Sequence, residues 1–395
     1  MFTMAVRYEI HAPRDAGELG ELLDILAVVF NFPREGSDAF ADRVGHDRFR
    51  VVRDRDRLVG GLATVPMGQW LGGRSVPMTG IVAVGIDPAA RGSGAASALM
   101  SSVMRELHAA RHPLSGLYPA TQTLYRAAGY EQAGDRYKIE LMLRRMRTGT
   151  RALDLREAGE GDHAIVEQLY TRDAAQHNGP LDRGPYIWAR VRTPRGETTR
   201  TFLVERDGTA EGYVILRYDR ADKVAYDVQV TDLVATTPDA GRRLLSLLAD
   251  HRSMAERAIL WRPPADPLLA LLPEQHYHVS LDIHWMTRIA HVASALTARG
   301  YAPSVRGTVH LRVHDDVLPE NSGKYVLHVE DCKATVERGG DGRIELDVRG
   351  LAMMYTGFRS PAGVAATGLL SGPTEDLAIA AGIFAGGAPW MSDMF

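Results

Sequence analysis

Cysteine is almost missing from this chain of 395 residues: Cys332 stands alone. No internal disulfide framework can form, and a reducing compartment is the expectation. Long apolar runs are missing as well. None approaches the roughly 18 to 20 residues of a membrane span, so no span is expected. The opening residues, MFTMAVRYEI, lack a basic start followed by an apolar core, so no secretory leader is expected and the cytoplasm is the expected location. Neither sign of charge is in excess. A net charge of −3 argues against nucleic acid or an anionic membrane as partner. The 14 histidines are scattered, and no His-Glu-x-x-His or Cys-x-x-Cys gathers ligands, so no metal is expected. The Gly-x-Ser-x-Gly elbow and the Gly-Lys-Ser/Thr phosphate loop are absent too, which removes the common serine-hydrolase and P-loop readings.

What the chain does have is one informative stretch, residues 79–107. Ile81, Val82, Val84 and Ile86 form a β-branched apolar run, the mark of a buried strand. Asp87-Pro88 ends it, because proline donates nothing to a ladder and favours a turn. Arg91-Gly92-Ser93-Gly94-Ala95-Ala96 follows, and then Ala96, Leu99, Met100, Val103 and Leu107 fall on one helical face. Strand, small-residue turn and helix together aim unpaired N–H groups and a positive helix end at one point, where a diphosphate is favoured. A dinucleotide turn would place its third glycine where Ser97 stands, and an acid where Arg111-His112-Pro113 is basic. Taken alone, the six-residue motif also fits a glycine-rich turn that binds nothing.

The chain is too long for one ordinary domain. Its first part predicts a strand at 6–10, a helix at 16–30 carrying Leu19, Leu22, Leu23 and Leu26, and a hairpin at 49–52 and 58–65. A turn at 71–74 leads into the central strand. After the central helix come a strand at 114–118, a short helix at 121–128, and a strand at 139–143 that closes the sheet. The second part reads as a worn copy, offset by about 150 residues. A helix pattern at 162–170, an Asp207-Gly208 hairpin and Thr231-Asp232-Leu233-Val234-Ala235 repeat the order, with Pro238 where Pro88 stood. Asp239-Ala240-Gly241-Arg242 then replaces the cradle, and an acid at a helix start repels a diphosphate. This half is expected to bind no cofactor and to serve assembly. The last part predicts a helix at 291–299, strands at 307–313, 325–329, 334–337 and 344–346, and a helix at 373–383. Met353, Met354, Tyr355 and Trp390 are expected in the core of that domain. Arg144-Arg145 and Arg242-Arg243 are expected on solvated faces.

The pattern Arg-x-x-Gly-x-Ala at 91–96, directly after a strand and Pro88, resembles the coenzyme A loop of the GCN5-related N-acetyltransferases (GNAT). With Leu124-Tyr125-Arg126-Ala127-Ala128-Gly129-Tyr130 and the tail at 389–395, the whole chain resembles the Eis (enhanced intracellular survival) family of actinobacterial N-acetyltransferases. The fold class this implies is α/β and α+β, multidomain. Two tandem GNAT-type domains, the second degenerate, would occupy 1–148 and 149–288, and a sterol-carrier-protein-like α+β domain 289–395. Also implied are acetyl-CoA as donor, amines of small polyamines such as aminoglycosides as acceptors, and a homohexamer. The resemblance places Val84, Gly85 and Ile86 along the pantetheine arm. It places Arg91, Gly92, Ser93, Gly94, Ala95, Ala96 and Ser97 at the diphosphate, and Ala120 and Thr121 at a further coenzyme contact, where the family often has Ser-Glu. Tyr125 is implied as general acid, and the C-terminal carboxylate of Phe395 as general base. The family's acidic pocket residues have no obvious match, since Asn31-Phe32-Pro33 occupies that neighbourhood.

Acetyl transfer to an amine needs positioning, N–H groups facing the thioester carbonyl, a base for the amine and an acid for the leaving thiolate. A phenol stays protonated at neutral pH and suits the last role. Without the resemblance, Tyr125 reads more readily as a packed ring and Phe395 as a packed aromatic terminus. Two other functions stay open at this level: acetylation of protein lysines, and non-catalytic carriage of an apolar ligand by the last domain.

Overall fold

The computed structural model describes residues 7–147, 151–218 and 226–395; Val6 of the first expected strand and the expected boundary at 148/149 lie outside them. The leucine spacing at the start of the chain makes a helix, Ala16–Phe30, and Leu19, Leu22, Leu23 and Leu26 are its buried face. Asp15 caps it by accepting the Glu18 N–H at 2.8 Å, and Asn31 ends it in the left-handed region at φ 51°. The helix packs on the hairpin of Arg57–Leu71 and Arg74–Ile86. Glycines permit that approach: a Cβ on Gly85 would lie 2.5 Å from Leu26 Cδ2. A helix at Ser37–Val44, which the sequence did not suggest, turns Ala41 and Val44 inward.

A 13-stranded sheet runs through the first two thirds of the chain. It begins as expected: Tyr8–His11, Phe49–Asp54, Arg57–Leu71, Arg74–Ile86, Leu114–Leu117. Then Tyr277–Ile289 intervenes, pairing Met286 with Leu117 on one edge and Val279 with Ile139 on the other. The strand expected at 139–143 therefore does not close the sheet. It is longer, Glu131–Met142, and lies in mid-sheet, where Ile259 of Ala255–Leu260 pairs with Glu140. Local pattern identifies Tyr277–Ile289 as a strand but carries no record of the edge it joins. Tyr226–Ala235, Thr209–Tyr218, Arg200–Arg206 and Asp154–Glu157 complete a path of twelve described strands, and Leu181–Asp182, off that path, pairs with Arg57–Leu71 as the thirteenth. The helix Pro238–Asp250 covers this second half with Leu244, Leu245 and Leu248. Its Arg243, expected in solvent, is instead buried and donates Nε to the Leu153 carbonyl at 3.0 Å. The stem lies on the inward face of an amphipathic helix, and the head finds a carbonyl there. Arg242, Arg144 and Arg145 are exposed.

The last third is a five-stranded sheet in the order Lys333–Arg338, Gly323–Glu330, Gly307–His314, Ile344–Asp347, Leu370–Ser371. Val348–Thr356 packs on it, with Met353, Met354 and Tyr355 buried as expected. Trp390 does not join this core. The tail leaves the domain and crosses the other two: Trp390 donates its N–H to the Asn178 carbonyl (3.0 Å), and Met391 to that of Asp135 (3.1 Å). The indole stands edge-on to His177, with the Arg262 guanidinium 5.0 Å from its centroid. A bridge between residues so far apart in the chain leaves no local signature in a seven-residue tail.

Among the described residues, no helix is long and apolar enough to cross a membrane.

Candidate active site

The strand Arg74–Ile86 is built to part from its neighbours. Its register against Arg57–Leu71 slips, so that Val82 opposes Ala63 while Gly85 opposes Gly61. Inside the slip, Ala83 takes φ 53°, a left-handed value rare for a residue with a Cβ. On the other edge, parallel pairing with Leu114–Leu117 stops at Gly80 and Gly116. Beyond that fork the two strands diverge, and on that edge no described strand lies beside residues 81–86. The backbone N–H and C=O groups that residues 84–86 turn to that edge meet no ladder, while those turned the other way face Arg57–Leu71.

The loop at the end of this strand is open in the way an anion requires. One 3-10 turn, Pro88–Ala90, leads to Arg91, which is exposed and ion-pairs with no described residue. Gly92 and Gly94 have φ of 76° and 92°, and a Cβ on either would meet nothing within 4 Å. Gly94 is the N-cap of the helix Ala95–Ala109, and no side chain caps it. The first-turn N–H groups of Ala95, Ala96 and Ser97 thus lack intrahelical acceptors at the positive end of a four-turn helix. The Ser93 hydroxyl is buried and has no partner among the described residues. The Ser93 carbonyl is turned away, accepting the Tyr8 hydroxyl at 2.7 Å. A buried hydroxyl without a partner, free N–H groups and a free cation fit a diphosphate.

The corresponding turn of the second half is closed. Thr237 Oγ1 accepts the Ala240 N–H at 3.2 Å, Pro238 has no N–H to offer, and Asp239 puts a carboxylate on the same turn, held by Arg206 and Arg242.

Across the fork, Ala120 and Thr121 are exposed just after Leu114–Leu117 and begin the short helix Gln122–Ala127. Tyr125, on that helix, shares one apolar cluster with Ile81, Leu99 and Leu117, and its ring meets Tyr130 edge-on at 6.2 Å. Burial raises its phenol above the ordinary value, so it is protonated at neutral pH. Tyr130, Tyr170, Tyr213, Tyr301, Tyr325 and Tyr355, at least as buried, each hydrogen-bond through the hydroxyl. The Tyr125 hydroxyl bonds to no described residue, and is left available for a substrate atom.

The tail ends at the same fork. A Cβ on Gly80 would fall 2.9 Å from Phe395 Cε2, and the Tyr118 ring lies edge-on to the Phe395 ring at 5.5 Å. Three donors grip the carbonyls that lead there: Arg136 Nε on Ser392 (2.9 Å), the Tyr118 hydroxyl on Asp393 (2.6 Å) and Arg190 Nε on Met394 (3.0 Å). The bulge at Ala83 and these donors went unread in the sequence. An alanine and three scattered polar residues carry no pattern of their own.

A diverging parallel strand pair, with an uncapped glycine-rich helix start at one end and a lone phenol near the fork, defines an acyl-CoA-dependent acyltransferase. The comparisons agree domain by domain. Acetyltransferase (GNAT) domain families match residues 12–133 and 179–289, and the sterol carrier protein domain family matches 292–392. A GCN5-related N-acetyltransferase from Anabaena variabilis superposes with a TM-score of 0.93 at 37% identity, covering 98% of this chain and 100% of that one. An uncharacterized N-acetyltransferase of Streptomyces avermitilis is 28% identical over 356 residues, 82% of each chain. Eis1 from Mycobacterium abscessus shares the fold, with a TM-score of 0.81 at 21% identity over 98% of this chain and 100% of its own. The chain belongs to the GCN5-related N-acetyltransferase family, as two tandem GNAT domains followed by a sterol-carrier-type domain.

Proposed function

We propose that the enzyme acetylates amines of small polyamines, aminoglycosides included, with acetyl-CoA as donor, and does so in the cytoplasm as a homohexamer. The observation that carries the site assignment is the seating of Phe395 at the fork of Arg74–Ile86 and Leu114–Leu117. The acceptor class and the hexamer are supported by the Eis resemblance of 91–96, 124–130 and the tail. The single Cys332 supports a reducing location.

Each residue has one task. The N–H groups at Val84–Ile86 hold the thioester carbonyl and its growing negative charge. Where Phe395 ends the polypeptide, its α-carboxylate takes the proton from the acceptor nitrogen as that nitrogen bonds to the carbonyl carbon. The carbon–sulfur bond breaks, and the Tyr125 hydroxyl donates to the departing sulfur. Burial keeps the Tyr125 phenol protonated at neutral pH, so it holds a proton to donate.

Two measurements test this reading. Tyr125→Phe removes one oxygen from a ring that keeps its packing. Turnover is expected to fall about 100-fold, within the usual range for one acid–base group, with acetyl-CoA affinity unchanged. An unchanged rate removes Tyr125 as the acid. For the acceptor, rates on a panel of polyamines and aminoglycosides are expected to exceed those on lysine peptides. The reverse order would replace the acceptor class and leave the donor site standing.

A further inference from the structure

We propose that Arg183, in the middle domain, is a positioning residue for the reaction carried out in the first: it sets the register of the tail and so the place of Phe395. The inference rests on the reading of the Phe395 carboxylate as base. Arg183 follows the short strand Leu181–Asp182, which pairs with Arg57–Leu71 through Gln69 and Gly68. Its side chain is 0% exposed. Nε and Nη2 each reach an oxygen of Asp393, both at 3.0 Å, in the two-pronged geometry a guanidinium favours. Nη1 meets Asp232, whose carboxylate also accepts the Tyr213 hydroxyl at 2.6 Å. The guanidinium carbon lies 3.6 Å from the centroid of the Tyr170 ring and 4.8 Å from that of Trp188.

Asp232 belongs to Tyr226–Ala235, the strand that stands where the first half has its coenzyme strand. There the second half anchors a cation that reaches across to the tail. The middle domain is therefore more than packing material.

Besides the seating of the Trp390 ring against His177 and Arg262, three further grips hold the end of the tail, and those three do not read sequence. Arg136, Tyr118 and Arg190 hold carbonyls, and every residue has a carbonyl. A slip of the tail by one residue would satisfy them equally well. Arg183 alone among these takes a side chain, and only Asp393 supplies a carboxylate there. Two residues span at most about 7 Å, so pinning Asp393 confines Phe395 to the neighbourhood of Gly80. A buried ion pair adds little net stability, but it discriminates strongly between registers.

The test acts on the tail, because deleting Arg183 would leave Asp232 and Asp393 buried without a cation. In the full-length protein, Asp393→Ala is expected to lower kcat about 100-fold, the scale of a 1 Å misplacement. The KM for acetyl-CoA should stay near wild type, and the melting temperature should fall by several degrees without loss of the fold, because Arg183 keeps Asp232 as its counter-charge. Hydrogen exchange of the peptide covering 390–395 should quicken. Asp393→Asn, which keeps one oxygen for Arg183, should recover part of the rate. Wild-type kcat with quickened exchange would overturn the inference, and so would loss of rate together with coenzyme binding. A parallel form extended beyond Phe395 separates the two failures. If the extension abolishes turnover and Asp393→Ala does not, the base reading stands and the clamp falls. If the extension is harmless, the base reading falls and takes the clamp with it.

Discussion

Gly94→Glu should abolish coenzyme binding in a chain that still folds. The substitution does two things at once. It places a side chain at φ 92°, and it puts a carboxylate at the start of a helix that has no other cap. The first effect costs about 1 kcal/mol, since a Cβ there meets nothing within 4 Å. The second is the larger one. It repels the diphosphate and gives the free N–H groups an internal partner, much as Thr237 and Asp239 do in the second half. Two lost charge-assisted hydrogen bonds at about 1.5–3 kcal/mol each correspond to at least a 100-fold weaker complex. Calorimetry with acetyl-CoA should therefore find one site per wild-type chain, no measurable site in Gly94→Glu, and less than a tenfold loss in Gly94→Ala. Two sites per chain would overturn the closed reading of the second half. Wild-type affinity in Gly94→Glu would place the diphosphate elsewhere.

The features legible in the sequence were those whose causes are local. Leucines at helical spacing gave Ala16–Phe30, and the hairpin turns announced themselves through residues that accept positive φ. Gly72 and Gly73 adopt 59° and 80°, and Asp207 and Gly208 adopt 50° and 77°. The glycine-rich loop before Ala95–Ala109 was legible for the same reason, because two glycines and the helix behind them define it without help from elsewhere. The missed features depend on partners distant in the chain. Tyr277–Ile289 reads as a strand in isolation, yet it lies between Leu114–Leu117 and Glu131–Met142 because Trp285, Met286 and Ile289 find their burial there. Ala83 is bent by a register slip against Arg57–Leu71, not by any preference of alanine. Trp390 looked like core of the last domain because it is aromatic and adjacent to it. Its packing partners, His177 and Arg262, belong to the middle domain.

Extending the chain past Phe395 should stop turnover while coenzyme binding survives. An added peptide bond converts the α-carboxylate into an amide carbonyl, which accepts a hydrogen bond but takes no proton. The added residues must also leave the fork, where Phe395 lies against Gly80 and Tyr118. A free α-carboxylate is ionised at neutral pH and can take a proton from the acceptor nitrogen. It also draws a cationic acceptor toward the thioester. Phe395→Leu separates the two contributions of the residue. It keeps the carboxylate and removes the ring, which costs edge contacts of about 0.5–1.5 kcal/mol with Tyr118 and a fraction of the burial. The substitution should therefore slow the enzyme about tenfold or less, whereas the extension should slow it at least 100-fold, the contribution of one general base. The order of the two effects is the decisive quantity. If Phe395→Leu is the more damaging, the ring matters and the carboxylate does not. If the extended chain acetylates at the wild-type rate, the proton leaves by another route.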